Sequence, residues 1–262
     1  MLNSFSSLFK QPNELPEGSA IPKLGMAAGF TKPPGDEDDP MEKEMKTLYK
    51  KPLRYNNNVT AAQAVRNVSK QTGVSPELLF SSAFQEGMNK AIAKPDEVSE
   101  AYDMAKVGND FPVDGFYNYG LDTIGNKYEL LKKYLPEGFD SRMKFFDAIN
   151  EKNEKIKTAA FKTDTDALTA KAAFLMYEQN NVDEYAKKNK LTLDDDARNY
   201  FTLAAYNTGF PNAEKMLSKY MKAKDKKAFI TKGDSEWQKV HKNIVPRMKH
   251  LKTAKSLLEE KE

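Results

Sequence analysis

The chain has 262 residues, enough for one large domain with extensions, and carries a net charge of +3. It has no cysteine and only two histidines, His241 and His250, which excludes disulfides, thiol chemistry, a His-rich metal site and a His-dependent triad in the first 240 residues. A mean hydropathy of −0.72 and 30% charged residues describe a water-facing protein, and no apolar run approaches the length of a membrane span.

Residues 1–55 read as an extended, proline-rich arm. They hold Pro12, Pro16, Pro22, Pro33, Pro34 and Pro40 and the acidic cluster Asp36-Glu37-Asp38-Asp39, and their apolar residues follow no clear period. Such a segment is expected to stay disordered or to order only against a partner. Its start lacks a charged stretch followed by a long apolar one, so no conventional secretion signal is expected. The texture changes at Val59, and residues 56–262 read as the folded domain. Ala61, Val65 and Val68 predict a helix over 60–70, with Gly73 as its stop.

Ser75-Pro76-Glu77 then reads as a helix start: a capping serine, proline at the first helical position and an acid in the first turn. Over a helix of about 76–92, Leu79, Ala83 and Glu86 fall at i, i+4 and i+7 on one apolar face. A lone carboxylate on a core-facing stripe is costly to ionise, so the pKa of Glu86 is expected to rise. That makes Glu86 a candidate general acid, unless the helix breaks near Gly87 and leaves it exposed.

A short helix is predicted over 96–106, followed by turns over 108–115. An aromatic stretch bracketed by glycines, Phe116 to Gly125, implies a sharp backbone bend. Helical patterns then cover 126–135, 141–158, 164–180, 182–189, 194–206, 211–222 and 235–258. The fold class is therefore mainly α, with at most a small hairpin around 105–120. From Glu214 to the end, 14 Lys and Arg stand against 7 Asp and Glu. These lysines are interleaved with acids as on a solvated helix face, and the tract Lys222–Lys227 is too short and mixed to predict nucleic-acid binding.

Three separated segments carry a resemblance: Phe80-Ser81-Ser82-Ala83-Phe84-Gln85-Glu86-Gly87, Tyr119-Gly120-Leu121-Asp122-Thr123-Ile124, and Leu203-Ala204-Ala205-Tyr206-Asn207-Thr208-Gly209. In that order on a helical domain they resemble the lytic transglycosylases with a lysozyme-like fold, over about residues 58–250. Asp166 to Leu175 looks like that family's small-residue helix, and Trp237 to Met248, with Val245-Pro246-Arg247-Met248, like its closing segment. The chain departs from the pattern where Gly87 replaces the usual serine and where Asp122 and Thr123 replace methionine and glutamine. The spacings between the segments are also longer than in compact members.

The resemblance implies cleavage of the MurNAc–GlcNAc β-1,4 bond of peptidoglycan glycan strands without metal or cofactor. Glu86 would be the general acid and base, and the sugar's own C6 hydroxyl the nucleophile. Tyr119, Gly120, Asp122, Thr123, Tyr206 and Asn207 would contact substrate, with Tyr206 donating a hydrogen bond to Glu86 or to the sugar. Asp122 could instead activate water, giving a hydrolytic muramidase, or merely cap the turn or the next helix; Asp114 has a weaker claim of the same kind. With an arm and no secretion signal, the resemblance fits a bacteriophage virion protein that docks through residues 1–50 and acts in the bacterial periplasm or wall. A catalytically weak structural virion protein that keeps the fold is the remaining alternative.

Overall fold

The computed structural model describes residues 39–93, 110–149 and 155–259. The predicted helix over 96–106 lies outside them, as do residues 1–38. The described chain is mostly helical, with two small antiparallel sheets. No helix among the described residues is long and apolar enough to cross a membrane.

The expected arm ends earlier than its prolines suggest. Asp39 caps α1 (Pro40–Leu48) by accepting from the N–H groups of Met41 and Glu42, with proline at the first helical position. Met45 and Leu48 are buried, as is Leu53 of β1 (Pro52–Leu53), which pairs with β2 (Asn56–Thr60). Residues 39–55 thus belong to the folded unit, which spans Asp39–Glu262. Residues 39–50, expected to be part of the docking arm, are folded, and residues 1–38 lie outside the described residues. The apolar residues Met45, Leu48, Tyr49 and Leu53 carried the correct signal, and the surrounding prolines and charges obscured it.

A Thr60–Gln63 capping box opens α2 (Ala61–Thr72), and Gly73 closes it in the left-handed region at φ 81°. Ser75 caps α3 (Pro76–Ala83) as expected, accepting from the Leu78 N–H. The helical path then widens into a π turn, Phe84–Met88, before α4 (Asn89–Ala93). Gly87 inside that turn has φ 118°, a value that bulkier residues rarely adopt.

The strongest correction concerns residues 141–158, expected to be helical. They contain β4 (Met143–Ile149) and the start of β5 (Lys155–Phe161), paired antiparallel with Phe145 opposite Ala159. Alternation in Lys155-Ile156-Lys157-Thr158 was the strand signal, and the frequent charges hid it. β3 (Val113–Asp114) adds to the other edge of β5, so the order is β3-β5-β4. Asp114, at the end of β3, accepts from the Phe116 N–H at 2.7 Å, and α5 (Gly115–Tyr119) follows at once. After a turn comes α6 (Ile124–Leu131).

The two helices expected over 164–180 and 182–189 are one, α7 (Asp164–Lys188), opened by a Thr163–Asp166 capping box. Asn180 and Asn181 do not break it, because their amides donate to Glu184 and Glu178 one turn away. α8 (Asp195–Thr208), α9 (Phe210–Lys222), α10 (Lys226–Lys232) and α11 (Gln238–Glu259) complete the chain. α7 packs on α2 and α8, and α11 on α3 and α8. Phe80, Phe84, Tyr200 and Phe201 are among the bulky side chains filling the interior.

Candidate active site

Three elements bring the expected residues together. The π turn after α3 presents Glu86, the turn between α5 and α6 presents Gly120, Asp122 and Thr123, and the end of α8 presents Tyr206 and Asn207. Together with Phe174 of α7 they line one cleft of about 180 Å³. Gly120 makes the meeting possible. It has φ 59°, and a Cβ built on it would lie 2.6 Å from Glu86 Oε2, so only glycine lets the turn press against that carboxylate.

Glu86 is not the half-dry protonated acid that its helical spacing suggests. Arg247 of α11 reaches it from the neighbouring helix, with Nη2 2.6 Å from Oε1. Ser81 of α3 donates to the Arg247 carbonyl at 3.0 Å, which fixes the two helices at this point. Burial works to raise the Glu86 pKa, but the charges of Lys171 and Arg247 outweigh it and hold the carboxyl below its ordinary value. The i, i+4, i+7 spacing located the face correctly but carried no information about cations arriving from α7 and α11.

Lys171 is the residue the sequence reading missed. It is fully buried on α7 and donates to the Tyr119 carbonyl at 3.2 Å and to the Tyr206 hydroxyl at 2.5 Å. Tyr206 in turn donates to the Gly120 carbonyl at 2.7 Å. The tyrosine proton expected on Glu86 or on sugar is therefore spent on the turn. Burial pushes the Lys171 pKa down to about 7, against the attraction of Glu86 and Asp122. A signal was present: Lys171 is the one charge in the apolar run Ala167 to Leu175.

Tyr119 is placed differently from expectation. Its ring is wholly buried, its hydroxyl donates to Asp164 Oδ1 at 2.7 Å, and only its carbonyl serves the site. Asp164 also accepts from the Tyr55 N–H at 2.7 Å, so this pair joins the turn to the start of α7 and to the N-terminal sheet. Asn207 lines the cleft while its amide donates to the Leu203 carbonyl at 2.9 Å. Asp122 does not cap α6: Thr123 is the capping position, and no side-chain bond closes that helix end. Burial is the largest influence on the Asp122 carboxyl and holds it above its ordinary pKa, and the charge of Glu86 works in the same direction.

No family model, curated protein or solved structure matches this chain. Among the described residues no group of three or more His, Asp or Glu could hold a metal ion. Two carboxylates in unlike environments, Glu86 and Asp122, line the cleft, while the Lys171 ammonium is buried and the Arg247 guanidinium pairs with Glu86.

Proposed function

We propose that this chain cleaves the β-1,4 bond between N-acetylmuramic acid and N-acetylglucosamine in peptidoglycan, as a lytic transglycosylase of lysozyme-like fold. One observation carries the reading. Three segments more than 30 residues apart in sequence, chosen for their resemblance, converge on one cleft with Glu86 in it. The cleft is smaller than the ~300–1,000 Å³ of pockets that enclose whole ligands. It suits the sugar at the scissile bond, with the rest of a strand lying across the open surface. Glu86, kept ionised by Arg247 and Lys171, is ready to take the proton of the C6 hydroxyl as that oxygen closes on the anomeric carbon.

Glu86→Gln keeps the shape and removes the base. Purified peptidoglycan incubated with the wild type should release fragments ending in 1,6-anhydromuramyl, one water lighter than hydrolysed ends, and the variant should release at least ~100-fold fewer. Equal release by the two proteins would end this reading, and hydrolysed ends would convert it to a muramidase.

A structural protein that has lost turnover is the second reading, favoured by the Glu86–Arg247 ion pair, which engages the carboxylate. Wall binding by the wild type without fragment release would support that reading instead.

A further inference from the structure

A glycan-cleaving cleft must deliver a proton to the departing oxygen, and Glu86 is poorly placed to do so. Its Oε1 is 2.6 Å from the Arg247 guanidinium, whose charge favours the ionised carboxylate. One other acid, Asp122, lines the cleft. The turn that carries it is held with care. Lys171 binds the carbonyl of Tyr119, Tyr206 binds that of Gly120, and Gly120 rests against Glu86. This turn fixes Asp122 two residues beyond the point of contact with Glu86. The Asp122 carboxyl accepts from the backbone N–H groups of its own residue and of Thr123, which holds it on the turn at the edge of the cleft.

We propose that Asp122 is the catalytic proton donor and Glu86 the catalytic base, so that two residues divide the work that the resemblance assigns to one. The assignment rests on the glycan-cleaving reading above. In the step, the bond between the anomeric carbon and the bridging oxygen breaks, and that oxygen leaves with the proton of Asp122. The C6 oxygen bonds to the anomeric carbon as its proton passes to Glu86. No water is consumed, and return of the proton from Glu86 to Asp122 through solvent restores the site. Two charged side chains act on Asp122: Glu86, which favours its protonated form, and Lys171, which opposes it. The N–H groups of the turn also favour its ionised form. The buried environment adds to the preference for the neutral acid.

Leaving-group dependence tests the assignment. The phenolate of an activated aryl β-glycoside of N-acetylmuramic acid, such as the 4-nitrophenyl glycoside, departs without protonation, whereas the sugar oxygen of the native bond needs it. Asp122→Asn should lose at least ~100-fold in kcat/KM on purified peptidoglycan yet stay within ~10-fold of wild type on the aryl glycoside. Glu86→Gln should lose at least ~100-fold on both. Activity of Asp122→Asn on the aryl glycoside also shows that the variant is folded. If it is inactive on both substrates, a melting temperature and chitooligosaccharide affinity equal to wild type would overturn the donor role. A melting temperature well below wild type would instead pass the test to Asp122→Glu, which keeps the acid: recovery of at least a tenth of native-substrate activity supports the donor role, and no recovery overturns it. Asp122→Asn within ~10-fold of wild type on peptidoglycan sinks this assignment alone. A wild type that cleaves neither substrate sinks the glycan-cleaving reading, and this assignment with it.

Discussion

Lys171 touches more of the site than any other single side chain: a carbonyl of the turn, the tyrosine of α8 and, through its charge, Glu86. Its folded-state pKa of about 7 lies below the ordinary lysine value of 10.5, so between those limits the unfolded chain binds more protons than the folded one. Stability from this group therefore rises with pH from about 7 toward 10, by at most ~1.4 kcal/mol per pH unit. The penalty for charging it is complete below that window. Urea denaturation of wild type and Lys171→Met across pH 6.5–9.5 should show the rise in the wild type and its loss in the variant. Glu86 acts in the same direction in a more acidic window: with its pKa lowered, its share of stability is lost as the solution is acidified through that value. Lys171 was legible only as an oddity, one charge in a run of small apolar residues. The sequence could not show which carbonyl it would meet, because Tyr119 lies 52 residues away.

Among the elements, the turn between α5 and α6 has little freedom at Gly120. Gly120→Ala would place a methyl 2.6 Å from a carboxylate oxygen at φ 59°. The conformational penalty alone is about 1–2 kcal/mol. Thermal melting should show that loss, and peptidoglycan cleavage should fall further than Tm, because either Glu86 or the turn must shift. Two helix termini were legible: the start at Ser75-Pro76-Glu77 and the end of α2 at Gly73 stand where local chemistry puts them. β4 and β5 were misread because strand pairing is a tertiary choice, and Phe145-Phe146 fits a helix face about as well as a pleat. The π turn after Ala83 was likewise hidden, since Gly87 signals a break without saying whether the chain ends or widens there.

For the whole molecule, the sharpest revision is where folding begins. Met45, Leu48, Tyr49 and Leu53 are buried, and together they represent about 6–12 kcal/mol of apolar burial. That is comparable with the ~5–15 kcal/mol of total stability usual for a domain. A chain starting at Asn56, the boundary that composition suggests, should therefore fail to give a cooperative thermal transition, whereas one starting at Asp39 should melt as the full chain does. The same region has a mechanical consequence. His250 of α11 bonds Asp39 at 3.0 Å through one ring nitrogen and meets Gln85 through the other, and Arg247 lies one helical turn earlier on α11. Tension applied upstream of Asp39 would thus be borne by α11 and by the residue next to Glu86. Pulling on that end would load the Arg247 latch before it reached the interior.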